Sequence, residues 1–138
     1  NAGITRDNVV MRMKDDQFDA VIAVNLRGTF LFTRAAAKPM MKAHRGRIIN
    51  IASMSGLIAN RGIGGRSYET TKAAMIHFTR ATAADWAPHA ITVNAICPGG
   101  TATPIFAGQL ALGGNMDYAA AVKPRTSGRS SSSSTRSK

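Results

Sequence analysis

Two stretches of this sequence hold the residue types that can move a proton on and off an oxygen. The run Arg47-Ile48-Ile49-Asn50-Ile51-Ala52 ends in Ser53-Met54-Ser55-Gly56, and a variable segment then leads to Tyr68-Glu69-Thr70-Thr71-Lys72. On a helix, residues i and i+4 lie on one face, so the Tyr68 hydroxyl and the Lys72 ammonium are presented together. A nearby cation favours the phenolate, so Lys72 is expected to pull Tyr68 below its ordinary pKa of about 10. A serine hydroxyl at the end of the preceding strand can hold a substrate oxygen beside that tyrosine.

The elements that must position these groups are readable from periodicity. Phe18, Val21, Ile22, Leu26, Phe30, Leu31 and Ala35 recur every three to four residues, which predicts a helix over 15–42. Asp15 and Asp16 suit its positive end, Pro39 is a point where it can kink, and His44-Arg45-Gly46 should stop it. Ahead of it, residues 7–13 suit a short helical turn with Asp7 or Asn8 as cap. Residues 47–52 are almost continuously apolar, as expected of a parallel strand covered on both faces. A glycine-rich loop over 56–67 should be exposed and mobile, and a second helix is predicted over 68–86 with Pro88 ending it. Residues 91–96 are β-branched and apolar until Cys97-Pro98-Gly99-Gly100, and 105–112 suit a short helix. Alternating helix and strand implies crossover units and a parallel α/β sheet. Ligands of such sheets bind beyond the carboxyl ends of the strands, where Ser53, Ser55, Pro98 and Gly99 fall.

Composition narrows the class. The chain has 138 residues, 44% of them hydrophobic, enough for one core. Its single Cys97 allows no internal disulfide, no apolar run approaches the ~20 residues that span a bilayer, and no signal peptide is recognisable, so the cytoplasm is the expected setting. The net charge is +11, but residues 123–138 supply five basic groups, no acidic ones and seven serines. That tail cannot bury enough apolar surface to fold. Elsewhere the charges are scattered and no stretch interleaves basic with aromatic residues, which argues against nucleic acid as a partner. His44, His77 and His89 show no metal-ligand spacing, and Cys97 at a strand end reads as packing.

Asn1-Ala2-Gly3, Asn25 within Val24-Asn25-Leu26-Arg27-Gly28, Ser53 after Ile48-Ile49-Asn50-Ile51-Ala52, Tyr68-x-x-x-Lys72, and Asn94 ahead of Pro98-Gly99 together resemble the short-chain dehydrogenase/reductase family. A lone Tyr-x-x-x-Lys arises often by chance, whereas five motifs in this order and spacing form a specific signal. The resemblance implies a Rossmann-type parallel sheet with helices on both faces. It also implies hydride transfer between NAD or NADP and an alcohol or ketone, with Tyr68 as general acid/base, Lys72 lowering its pKa and binding the nicotinamide ribose, and Ser53 orienting the substrate oxygen. Asn25 would hold a water that relays protons from Lys72. Asn1, Ala2 and Gly3 would line the adenosine side of the cofactor, and Pro98, Gly99 and Thr103 the nicotinamide side. The two long helices, 15–42 and 68–86, resemble those that pair with a second subunit, so a homo-oligomer is expected.

The family's usual serine-to-tyrosine spacing points to Ser55, whereas the strand register points to Ser53; register is preferred, because loops absorb insertions and strands do not. The sequence lacks the family's first strands and its glycine-rich phosphate-binding turn, so the sheet is expected to be incomplete, the choice between NAD and NADP is unreadable, and the chain reads as a fragment that is inactive alone. Residues 1–112 read as the C-terminal part of a Rossmann-like catalytic domain and 113–138 as an irregular Ser/Arg-rich tail. Within the family, Ile51 to Gly56 and Ala84 to Pro88 look most like sugar-acid and polyol dehydrogenases of the gluconate 5-dehydrogenase kind, then like 3-oxoacyl carrier-protein reductases. The rival expectation is a non-catalytic product that only associates with an intact homologue.

Overall fold

A computed structural model describes residues 3–59 and 65–100. Helix α1 (Asp15–Val21) begins after Lys14, whose backbone N–H donates to the Gln17 side chain at 3.0 Å, and Asp15 and Asp16 occupy its first turn. The expected single helix is continuous in space but changes pitch: Ile22–Arg27 is π-helical, with the Gly28 N–H reaching back to the Ala23 carbonyl, and α2 (Gly28–Ala43) follows. Pro39 lies within α2 without ending it. His44 then adopts a left-handed conformation (φ 46°), its N–H and that of Arg45 returning to Met41 and Met40 carbonyls, which closes the helix end. The short turn ahead of α1 forms at Val10–Arg12, but its cap position is Val9. Asn8 braces this turn instead, donating to the Arg12 carbonyl and accepting from the Val9 N–H, both at 2.9 Å.

Strands β1 (Gly46–Ile51) and β2 (Ile91–Ile96) pair in parallel, Gly46 opposite Ile91 through Ile51 opposite Ile96, with α3 (Arg66–Trp86) as the crossover between them. Helix α3 starts two residues before the expected Tyr68, and an Arg66–Glu69 ion pair of 2.6 Å spans its first turn. A turn of 3-10 helix, Met54–Gly56, leads into the expected glycine-rich loop, of which 60–64 lie outside the described residues. The buried side of α3 is largely polar. Ser67, Thr71, Lys72, Thr79 and Thr82 are buried beside Met75 and Ile76. Thr79 and Thr82 return their hydroxyls to carbonyls four residues back, both at 2.8 Å, and Asn50 of β1 donates to Thr79 at 2.9 Å. Such satisfied polar contacts cost little, and they fix the strand's position along the helix.

The buried apolar cluster is small: Ala52, Met75 and Ile76, with Ala95 and Cys97 against it. The other face of the sheet leaves Ile49 58% and Ile96 50% exposed, so the second helical layer of the expected fold has no member among the described residues. No helix there is long and apolar enough to cross a membrane. The expected helix at 105–112 and the tail lie outside the described residues.

Candidate functional site

The carboxyl ends of β1 and β2 are held together by backbone. The Ala52 N–H donates to the Ile96 carbonyl at 2.8 Å and the Met54 N–H to the Pro98 carbonyl at 2.9 Å, which sets the turn after β2 against the turn after β1. Ser53 caps that first turn, its hydroxyl accepting from the Ser55 N–H at 3.2 Å. The same Ser53 side chain hydrogen-bonds Tyr68. Ser55, to which the spacing points, presents its backbone N–H to Ser53.

Lys72, 6% exposed, donates from Nζ to the Ile51 carbonyl at 2.8 Å and stands 5.5 Å from the centre of the Tyr68 ring. One helical turn therefore gives the pair its shared face, and the last carbonyl of β1 anchors the lysine. The electrostatics differ from expectation. Burial raises the Tyr68 pKa above its ordinary value, only partly opposed by the Ser53 hydrogen bond, and the Asp7 charge raises it further. Lys72 is shifted down by its own burial, with Cys97 acting weakly the other way. The expected lowering of Tyr68 fails for a physical reason: the ammonium lies over the ring and is engaged with a carbonyl, so desolvation outweighs it.

Asn25 is fully buried in the π-helical stretch. Its Oδ1 accepts from the Ile4 N–H at 2.9 Å, and its Nδ2 donates to the Ile4 carbonyl at 3.0 Å and to Thr71 Oγ1 at 3.3 Å. Thr71 in turn donates to the Tyr68 carbonyl at 2.8 Å. Asn25 thus clamps the loop containing Gly3 to the helix that carries Tyr68 and Lys72. This amide lies within the π-helical stretch, and such π-turns recur at functional sites. Its side-chain hydrogen bonds go to Ile4 and Thr71, and its backbone carbonyl accepts from Thr29 at 2.8 Å.

Gly3, Asn25, Ser53, Tyr68, Lys72, Pro98 and Gly99 are accordingly joined along one edge. Asn1, Ala2 and Thr103 lie outside the described residues. Thr71 and the Ile51 carbonyl were not singled out in the sequence. A hydroxyl beside Lys72 was visible there, but nothing in the spacing showed that it would face Asn25.

Residues 1–111 match the family model for the short chain dehydrogenases. The chain belongs to the short-chain dehydrogenase family. A 3-oxoacyl-[acyl-carrier-protein] reductase from Synechocystis is 48% identical over 103 residues, 75% of this chain and 41% of that protein. A (3R)-3-hydroxyacyl-CoA dehydrogenase from Mus musculus is 45% identical over 105 residues, 75% of this chain and 40% of that protein. Among solved structures, a gluconate 5-dehydrogenase from Burkholderia cenocepacia in complex with NADP and tartrate superposes with a TM-score of 0.73 at 34% identity, covering 76% of this chain and 40% of that one. A 3-oxoacyl-[acyl-carrier protein] reductase from Brucella melitensis gives the same TM-score at 41% identity, with 78% and 42% covered. The chain spans about two fifths of the length of these relatives.

The donor chemistry along the edge suits one half of a nicotinamide dinucleotide. Lys72 offers three N–H donors, of which the Ile51 carbonyl takes one, which leaves donors for sugar hydroxyls of such a cofactor. Among the described residues no group of three or more His, Cys, Asp or Glu is placed to hold a metal.

Proposed function

We propose that this chain carries the proton-transfer half of a nicotinamide-dependent oxidoreductase that interconverts an alcohol and a ketone, with Ser53, Tyr68, Lys72 and Asn25 at its centre. The observation that carries the reading is the Ser53–Tyr68 hydrogen bond at the end of β1 with the Lys72 ammonium 5.5 Å from the Tyr68 ring. Ser53 holds the substrate oxygen, and Tyr68 gives it a proton or takes one from it. Burial favours the neutral phenol, so the resting site is poised to donate a proton, as reduction of a ketone requires. Bound NAD or NADP supplies or accepts the hydride. Lys72 would hold its ribose, Pro98, Gly99 and Thr103 its nicotinamide side, and Asn1, Ala2 and Gly3 its adenosine side. Asn25 fixes the loop at Ile4 against α3, and a water held near it is the proposed proton route from Lys72.

For substrate class, the identities of 48% and 41% to 3-oxoacyl carrier-protein reductases, against 34% to a gluconate 5-dehydrogenase, favour a 3-oxoacyl thioester over a sugar acid. A cytoplasmic setting and self-association through α2 and α3 belong to the same reading. A second reading, a chain that only associates with an intact relative, is favoured by the apolar surface of α2, where Phe32 is 79% exposed.

The test is a chimera in which residues 1–111 replace their counterpart in the Synechocystis reductase, which supplies the remainder of the fold. Turnover of a 3-oxoacyl thioester is expected, followed by nicotinamide absorbance, and Tyr68→Phe should lower kcat at least about a hundredfold. Ser53→Ala should cost far more than Ser55→Ala. Near-normal turnover in the Tyr68→Phe chimera would sink the mechanism.

A further inference from the structure

The loop leading to the Val10–Arg12 turn meets the beginning of α3. Asn8 forms an isolated parallel bridge with Gly65, the residue immediately before the helix. A Cβ placed on Gly65 would stand 3.2 Å from Asp7 Oδ1 and 3.6 Å from its Cγ, so the carboxylate is packed against the helix start and the missing side chain is what admits it. Gly65 is the cap position of α3 and precedes Tyr68, in the helix's first turn, by three residues. Asp7 Oδ1 is buried at this end of the 21-residue helix, where the positive end of the helix dipole lies.

We propose that Asp7 is a positioning residue for Tyr68: its carboxylate, seated on Gly65, ties the first turn of α3 to the loop over 3–9 and sets the charge around the Tyr68 hydroxyl. This rests on the reading of Tyr68 as the proton-transfer group. Among the described residues, the other ionisable groups around Tyr68 leave that role to Asp7. On α3, Lys72 lies over the ring, and Glu69 is ion-paired with Arg66. From β1 the neutral Ser53 hydrogen-bonds the phenol, and from the end of β2 Cys97 acts on Lys72. The Asp7 charge disfavours the phenolate, in the same direction as burial. Together with the Asn25 clamp at Ile4, Asp7 gives this loop a second attachment to the helix that carries the reacting tyrosine.

The experiment is a carbon-13 NMR titration of Tyr68 Cζ in the full 138-residue chain, assigned by its loss in Tyr68→Phe, with circular dichroism recorded at each pH to mark the folded range. Asp7→Asn should increase the acid ionisation constant of Tyr68 by about three- to tenfold. Asp7→Glu, which keeps the charge, should restore most of the difference. Gly65→Ala, which keeps the carboxylate but pushes it outward, should give a smaller shift in the same direction and keeps the idea testable if Asp7→Asn does not fold. An unchanged constant in both Asp7→Asn and Gly65→Ala, or an Asp7→Glu variant indistinguishable from Asp7→Asn, would overturn the proposal. None of these measurements uses cofactor or substrate. An active Tyr68→Phe chimera would therefore remove the catalytic reading without touching this coupling, and an unchanged titration would remove the coupling without touching the catalytic reading.

Discussion

Ser67 and Thr71, both fully buried on the first turns of α3, have opposite fates. Thr71 donates to the Tyr68 carbonyl and accepts from Asn25, whereas the Ser67 hydroxyl has no hydrogen-bond partner among the described residues. A buried hydroxyl without a partner costs free energy, and a bonded one is costly to remove because its partner is then stranded. Ser67→Ala should therefore stabilise the chain by about 1 kcal/mol, while Thr71→Val, equally conservative in volume, should destabilise it by about 1–3 kcal/mol. Urea unfolding of the two variants measures the difference, and a Ser67→Ala variant less stable than the parent would show that the hydroxyl is bonded in solution. The same scale explains where the sequence misled. Helical spacing correctly brings Lys72 to Tyr68, but spacing carries no information about desolvation, and desolvation sets the direction of both pKa shifts.

Between elements, the position most sensitive to packing is Gly56. A Cβ there would lie 2.7 Å from the Lys72 carbonyl carbon, 2.8 Å from the Ala73 nitrogen and 2.9 Å from the Lys72 oxygen, all backbone atoms of α3 that cannot rotate away. At Gly46 the nearest atom is the Met40 sulfur at 2.5 Å, on a flexible side chain. Gly56→Ala should thus cost about 1–3 kcal/mol and Gly46→Ala markedly less, read from thermal or urea unfolding. An equal cost at the two sites would mean that the turn after β1 moves freely relative to α3. Both strands, both long helices and the residues that end them were legible, because each rests on a local signal such as apolar period, glycine or proline. The π-helical stretch was not. No residue type marks it, and it is selected by the bonds that Asn25 makes to Ile4 and Thr71, which are 21 and 46 residues away in sequence. Thr79 and Thr82 join the buried face of α3 because threonines that return their hydroxyls to the helix pack like apolar residues.

For the molecule as a whole, the question is what lies against α2. Phe30 is 43%, Leu31 37% and Phe32 79% exposed, a concentration of large apolar side chains that water alone rarely covers. Phe30 also meets Phe78 of α3 edge-on at 6.4 Å and lies under Arg34 at 5.2 Å, so part of this surface is already organised by the neighbouring helix. Helix α2 carries Arg34, Lys38 and Lys42 and no acidic residue, and the chain has a net charge of +11. Two copies facing each other through α2 must bury enough apolar area to outweigh that repulsion, which makes association sensitive both to salt and to one added charge. Phe32→Lys should leave the monomer's stability within about 0.5 kcal/mol, since the side chain is exposed, yet weaken self-association at least about tenfold. Sedimentation velocity at low and high salt tests this directly. A parent chain that stays monomeric at high concentration, or a Phe32→Lys variant that associates as tightly as the parent, would show that α2 is not the surface through which copies of this chain meet.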